Sequence, residues 1–122
     1  MAKGNHKSRQ SWHELRDGAQ LTLTRHLPAR FDVSAETTLP PARRGRLARQ
    51  IRQDLWRELR GLRGFSPVVV IVATEEGVKV TAGGQFLVRG AVPTNLSTKI
   101  QALLDSPAHR ARWLSWARVR SV

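Results

Sequence analysis

The stretch Ser66–Gly84, "SPVVVIVATEEGVKVTAGG", decides the fold class. Val68 to Ala73 is a run rich in β-branched residues, which suit a pleated, buried surface. Glu76-Gly77 supplies a turn, after which Val78, Val80 and Ala82 alternate with Lys79 and Thr81. Two such segments around a glycine turn predict a β-hairpin. Gly83-Gly84 predicts either a bulge or a second turn into "QFLVRG", which leaves open a third antiparallel strand at 85–89. A lone hairpin is marginal in water, so helices have to cover one face of the sheet.

Those helices are visible on both sides of the hairpin. Upstream, Pro40 and Pro41 suit a helix start, where a missing N–H does no harm. From about Pro41 to Leu62, the residues Leu47, Ile51, Leu55, Leu59 and Leu62 step by four, four, four and three. That is one stripe of an amphipathic helix, closed by Gly61 and Gly64. Downstream, "TNLSTKIQALLDS" sets Leu96, Ile100, Leu103 and Leu104 on one face, with Thr94 or Asn95 as N-cap. "SPAHRARWLSWARVR" starts again with Ser106 as cap and Pro107 at the first helical position. The expected architecture is α+β: a two- or three-stranded antiparallel sheet covered by a long N-terminal helix and two C-terminal helices, one domain over residues 38–120. Residues 1–37 read as a basic, largely flexible arm. Within it "SWHE" (Ser11 to Glu14) has capping-box spacing, Gly18 closes a short turn of helix, and the alternating "QLTLTR" is a weak strand signal.

Composition narrows the chemistry. A chain of 122 residues can build one modest core. Without cysteine it has no disulfide, thiolate or cysteine-ligated metal. His6, His13, His26 and His109 are scattered, with no partner at helical ligand spacing, so neither a metal nor another cofactor is expected. The longest apolar run, "VVVIVA", is far short of a membrane span, and "MAKGNHKSRQSW" lacks the apolar segment of a secretory signal. A cytoplasmic protein with no membrane partner is expected. Glu75 and Glu76 are adjacent acids at a hairpin tip, and no Gly-x-Ser-x-Gly, Walker loop or paired-acid cleft appears. These absences argue against an enzyme.

Charge is the strongest pointer to function. The formal net charge is +12, with a pI near 11.9. Residues 43–63 hold eight arginines against Asp54 and Glu58, while residues 64–108 balance at three against three. The positive charge is therefore segregated around a neutral, apolar centre. Such a balance speaks about partners, and nucleic acid is the commonest intracellular polyanion.

On the first helix, Trp56 lies about 115° from the centre of the leucine stripe. Arg49, Arg52, Arg60 and Arg63 stand at offsets of seven and four residues on either side of it, the spacings of helical neighbours. On the last helix Trp113, Leu114 and Ala117 can face the core, while Trp116 points away between Arg112 and Arg120. Arginine engages phosphates with a planar fork, and an aromatic among arginines can stack on an unpaired base. A tryptophan at a core edge, with arginine stems packed over it, accounts for the same residues without a ligand. Arg43, Arg44, Arg46, Arg49, Arg52, Arg57, Arg60, Arg63, Arg112 and Arg120 are the expected phosphate contacts, with Trp56 and Trp116 as base platforms. The expected function is non-catalytic binding of nucleic acid, RNA or single-stranded DNA. The alternative is an assembly module docking on an acidic protein, since arginine and tryptophan also dominate interface hot spots. "GLRG" (Gly61 to Gly64) has the Gly-x-x-Gly spacing of loops that clamp nucleic-acid backbone between two helices. Here it joins a helix to a strand and reads as a helix end followed by a turn.

Overall fold

The computed structural model describes residues 12–90 and 92–119. It has an α+β fold in which a five-stranded, wholly antiparallel sheet carries three helices. The order along the chain is β1 (His13–Asp17), β2 (Gln20–Thr24), β3 (Val33–Leu39), α1 (Arg44–Leu59), β4 (Phe65–Ala73), β5 (Val78–Phe86), α2 (Leu96–Asp105) and α3 (Pro107–Trp116). Across the sheet the order is β1-β2-β4-β5-β3.

The central hairpin is the one expected from Ser66–Gly84, with Ala73 opposite Val78 and Phe65 opposite Phe86. The sheet built on it is larger than expected. Residues 13–37, within the arm expected from sequence, contribute β1, β2 and most of β3. Gly18, in the left-handed region at φ 61°, turns β1 into β2, so "SWHE" leads into a strand and caps no helix. Gly83-Gly84 makes no turn either. β5 runs straight through it to Phe86, and residues 87–89 form no further strand. The two glycines are needed because a Cβ on Gly83 would overlap the Val33 carbonyl oxygen, and one on Gly84 the Ser66 carbonyl oxygen. They allow flanking backbone to close in on both sides of β5.

The run "VVVIVA" forms β4, a central strand paired on both sides, with helix-facing Val69 and Ile71 buried and Val70 and Val72 half-buried on the other face. Val69 and Ile71 join the main core on the helix side, and Val68, pointing the other way, is equally inaccessible. The link from β2 to β3 passes across the sheet end where β4 starts and β5 finishes. There Arg30 Nη1 donates to Gln85 Oε1 at 2.8 Å, and the Asp32 carboxylate accepts from the Phe86 N–H at 2.7 Å.

On the helix side, α1 packs on β4 and β2 while α2 packs on β3. The leucine stripe behaves as its spacing predicts. Leu47, Ile51 and Leu55 are fully buried, Leu59 nearly so, and Leu62 sits half-buried past the helix end. Burying one such side chain stabilises the fold by roughly 1.5–3 kcal/mol. α3 begins as expected, with Ser106 Oγ accepting from the His109 N–H and Pro107 in the first turn. Arg110 ties α3 to the edge strand, donating to Thr37 Oγ1 and the Thr38 carbonyl, both at 2.9 Å. This covers part of an edge that would otherwise invite pairing with another chain.

Candidate nucleic-acid interface

Helix α1 organises the charged surface, because one of its sides is consumed by the core and the other carries the arginines. Arg43, Arg46, Arg49, Arg57, Arg60 and Arg63 are exposed, and Arg44 and Arg52 are half-buried. Three long-range arrangements decide which of these charges remain available.

The first centres on Asp54, a buried carboxylate on the flank of α1 that faces α3. Its Oδ2 accepts from Trp113 Nε1 at 2.6 Å and from Arg112 Nη2 at 2.9 Å, and its Oδ1 lies 3.5 Å from Arg57 Nη1. Trp113 is wholly inaccessible, so this carboxylate satisfies an indole N–H that water cannot reach. Arg57 and Arg112, expected at the phosphate surface, are thereby partly spent on the fold. Glu58, the other acid of the helix, makes no ion pair among the described residues.

The second lies on the opposite flank, against β1. Glu14 takes Arg16 on Oε2 and Arg49 on Oε1, each at 2.9 Å. Gly45 permits the approach, since a Cβ there would stand 3.2 Å from Arg16 Nη2. Near it the first turn of α1 has no acidic residue and no side-chain cap. Arg16, Arg43, Arg44, Arg46 and Arg49 line a polar depression of about 550 Å³ there. The partial positive charge of the helix terminus adds to theirs.

The third is a cleft of about 570 Å³ whose walls include Trp12, Arg25, His26, Arg52, Trp56, Phe65 and Leu87. The Arg52 guanidinium lies 4.7 Å from the Trp12 ring centroid, and that of Arg25 lies 5.7 Å from it. Burial holds the Arg52 pKa below its ordinary value, and the charges of Arg25 and Arg49 depress it further. Arginine stays charged at neutral pH even so. Its Nε is buried with no hydrogen-bond partner among the described residues.

Both tryptophans proposed as platforms are exposed, Trp56 by 49% and Trp116 by 60%. They stand apart: Trp56 belongs to the β1 flank of α1, and Trp116 to α3, which packs on the Asp54 flank. Arg43, Arg46, Arg60 and Arg63 form no ion pair among the described residues. Arg120 lies outside the described residues. Sequence reasoning missed Trp12, Arg25 and His26, all in the supposed arm. The signal available was Asp17-Gly18 between "HELR" and the alternating "QLTLT", a hairpin pattern that brings Trp12 and Arg25 to one sheet end.

No protein family matches this chain, and neither a curated protein nor a solved structure matches it. Among the described residues no helix is long and apolar enough to cross a membrane, and no three acidic or histidine side chains could hold a metal ion.

Proposed function

We propose that this chain binds nucleic acid without catalysis, as RNA or single-stranded DNA, and that the outward side of α1 is its contact surface. One observation carries the reading. Arg43, Arg46, Arg60 and Arg63 lie along or beside a helix that also exposes Trp56, and no carboxylate among the described residues neutralises them. Gathering like charges on one helix gains no stability, so the arrangement is explained by an anion outside the chain. Arginine offers each phosphate a bidentate fork, and the tryptophan gives an unpaired base a flat surface. Arg49, Arg57 and Arg112 contribute less, because Glu14 and Asp54 already hold them.

Affinity for a labelled mixed-sequence single strand, measured by fluorescence anisotropy as salt is raised, tests this. Four unneutralised arginines predict a log–log slope of about −3 from counterion release on a single strand. A flat salt dependence sinks the reading. Equal affinity for polyglutamate of matched charge also sinks it, and points to an acidic protein surface instead.

A further inference from the structure

The cleft between Trp12 and Trp56 is built differently from the rest of the basic surface. The outward arginines of α1 stand in water, where a phosphate backbone can slide along them. Arg52 is half-buried, turned inward from the same helix and held against the face of an indole. The acids of α1 and β1 leave it alone, since Glu14 engages Arg16 and Arg49 while Asp54 engages Arg57 and Arg112. Arg25 crowds the same ring. A guanidinium that is desolvated, next to a like charge and lacking a carboxylate is costly to maintain. An anion entering the cleft would offset that cost.

The remaining walls specify what carries the anion. Trp12, Trp56, Phe65 and Leu87 supply flat or apolar surface within the same cavity, and His26 adds a second polar edge. A volume near 570 Å³ falls within the range of ordinary small-ligand sites. An occupant must therefore present a planar ring and a phosphate a few bonds apart. A paired duplex cannot do so, because its bases are stacked inside.

We propose that this cleft is a nucleotide pocket that receives one unpaired nucleotide, its base against the Trp12–Trp56 walls and its phosphate on Arg52 and Arg25. The inference rests on the nucleic-acid reading above and gives it a preference for unpaired strands. The same chemistry could be supplied by a free nucleoside monophosphate, and the experiment separates the two sources.

The full chain is titrated with a short single strand, a blunt duplex of the same sequence, inorganic polyphosphate and adenosine monophosphate. Anisotropy or competition gives affinities, while the indole N–H resonances of ¹⁵N-labelled protein report on each tryptophan. Trp56 is half-exposed and touches the cleft without sealing the core, so Trp56→Ala is expected to fold. The single strand should shift the Trp12 and Trp56 indole resonances and leave that of buried Trp113 in place. Trp56→Ala should weaken single-strand binding roughly 5- to 150-fold, the usual range for losing one stacked base, and Trp56→Phe should recover most of it. Duplex and polyphosphate affinities should change less than about twofold, as for any phosphate contact that does not involve the ring. Shifts from adenosine monophosphate without shifts from the strand would identify the free nucleotide as the occupant. Equal losses for single strand, duplex and polyphosphate in Trp56→Ala would overturn the pocket while leaving the arginine surface intact. Strand binding with both indoles unmoved by the strand and by adenosine monophosphate would overturn it too. Failure of every polyanion to bind removes the nucleic-acid reading itself, and the pocket falls with it unless adenosine monophosphate alone moves both indoles.

Discussion

Replacing Asp54 by alanine tests how this fold joins its charged surface to its core. The carboxylate is nearly inaccessible and accepts the Trp113 indole N–H at 2.6 Å and Arg112 at 2.9 Å. Alanine leaves the buried indole donor unpaired, a loss of about 1–3 kcal/mol. The Arg112 bond adds less, about 0.5–1 kcal/mol, because that side chain is 40% exposed and can turn to water. The expected destabilisation is therefore about 1.5–4 kcal/mol. Unfolding entropy near 2.1 cal/mol/K per residue gives about 0.26 kcal/mol/K for 122 residues, so the melting temperature should fall by about 6–15 °C. Asp54→Asn keeps an acceptor for the indole and should lose roughly half as much. Circular-dichroism melts and urea titrations of Asp54→Ala, Trp113→Phe and the double variant complete the cycle. In the Trp113→Phe background no donor remains to be stranded, so Asp54→Ala should cost about 1–2 kcal/mol less than in the parent. Additive losses, or a single-variant loss under about 0.5 kcal/mol, would refute the claim that Asp54 is held for the indole. The substitution also releases Arg57 and Arg112, so whatever fraction stays folded should bind a single strand more tightly and with a steeper salt slope.

Three further outcomes are expected. Arg60→Ala and Arg63→Ala should each reduce the salt slope of strand binding by about 0.7 and leave the melting temperature within about 2 °C, since no acid among the described residues holds either side chain. The Phe86 N–H, and after it Arg30, hold the Asp32 carboxyl below its ordinary value of 3.8. Its stabilising contribution is therefore complete above pH 3.8 and disappears as the pH falls through the lowered value, so Asp32→Asn should flatten that part of an acid-denaturation profile. Gly84→Ala puts a methyl group onto the Ser66 carbonyl and within 2.8 Å of the Phe65 ring, and should destabilise by at least about 1–3 kcal/mol in urea titrations.

The difference between the expected and observed sheet has a specific origin. A strand is recognised by alternation, and β1 reads as "HELRD", with few apolar residues, because it lies at the sheet edge. Its turn was nevertheless written in Asp17-Gly18, and the unalternating β4 is the central strand, paired on each side. The candidate surface was legible in a different way. Local helix geometry sets Trp56 and Trp116 off the apolar side, while a core-edge position stayed open until the structure showed both exposed.

Composition and spacing by themselves determined that the chain is strongly cationic, where its charge clusters, which residues form helices and the central hairpin, and which tryptophans lie off the apolar stripe. All of these depend on neighbours within two or three turns of the chain. Only the tertiary structure decided which cations are spent: Arg49 on Glu14, Arg112 on Asp54, and Arg52 turned inward against Trp12. Those partners lie 35 to 58 positions apart or meet across a folded sheet end, and charge neutralisation acts through space. The separation between an arginine held by a carboxylate and one left open to solvent therefore arises only when the chain has folded.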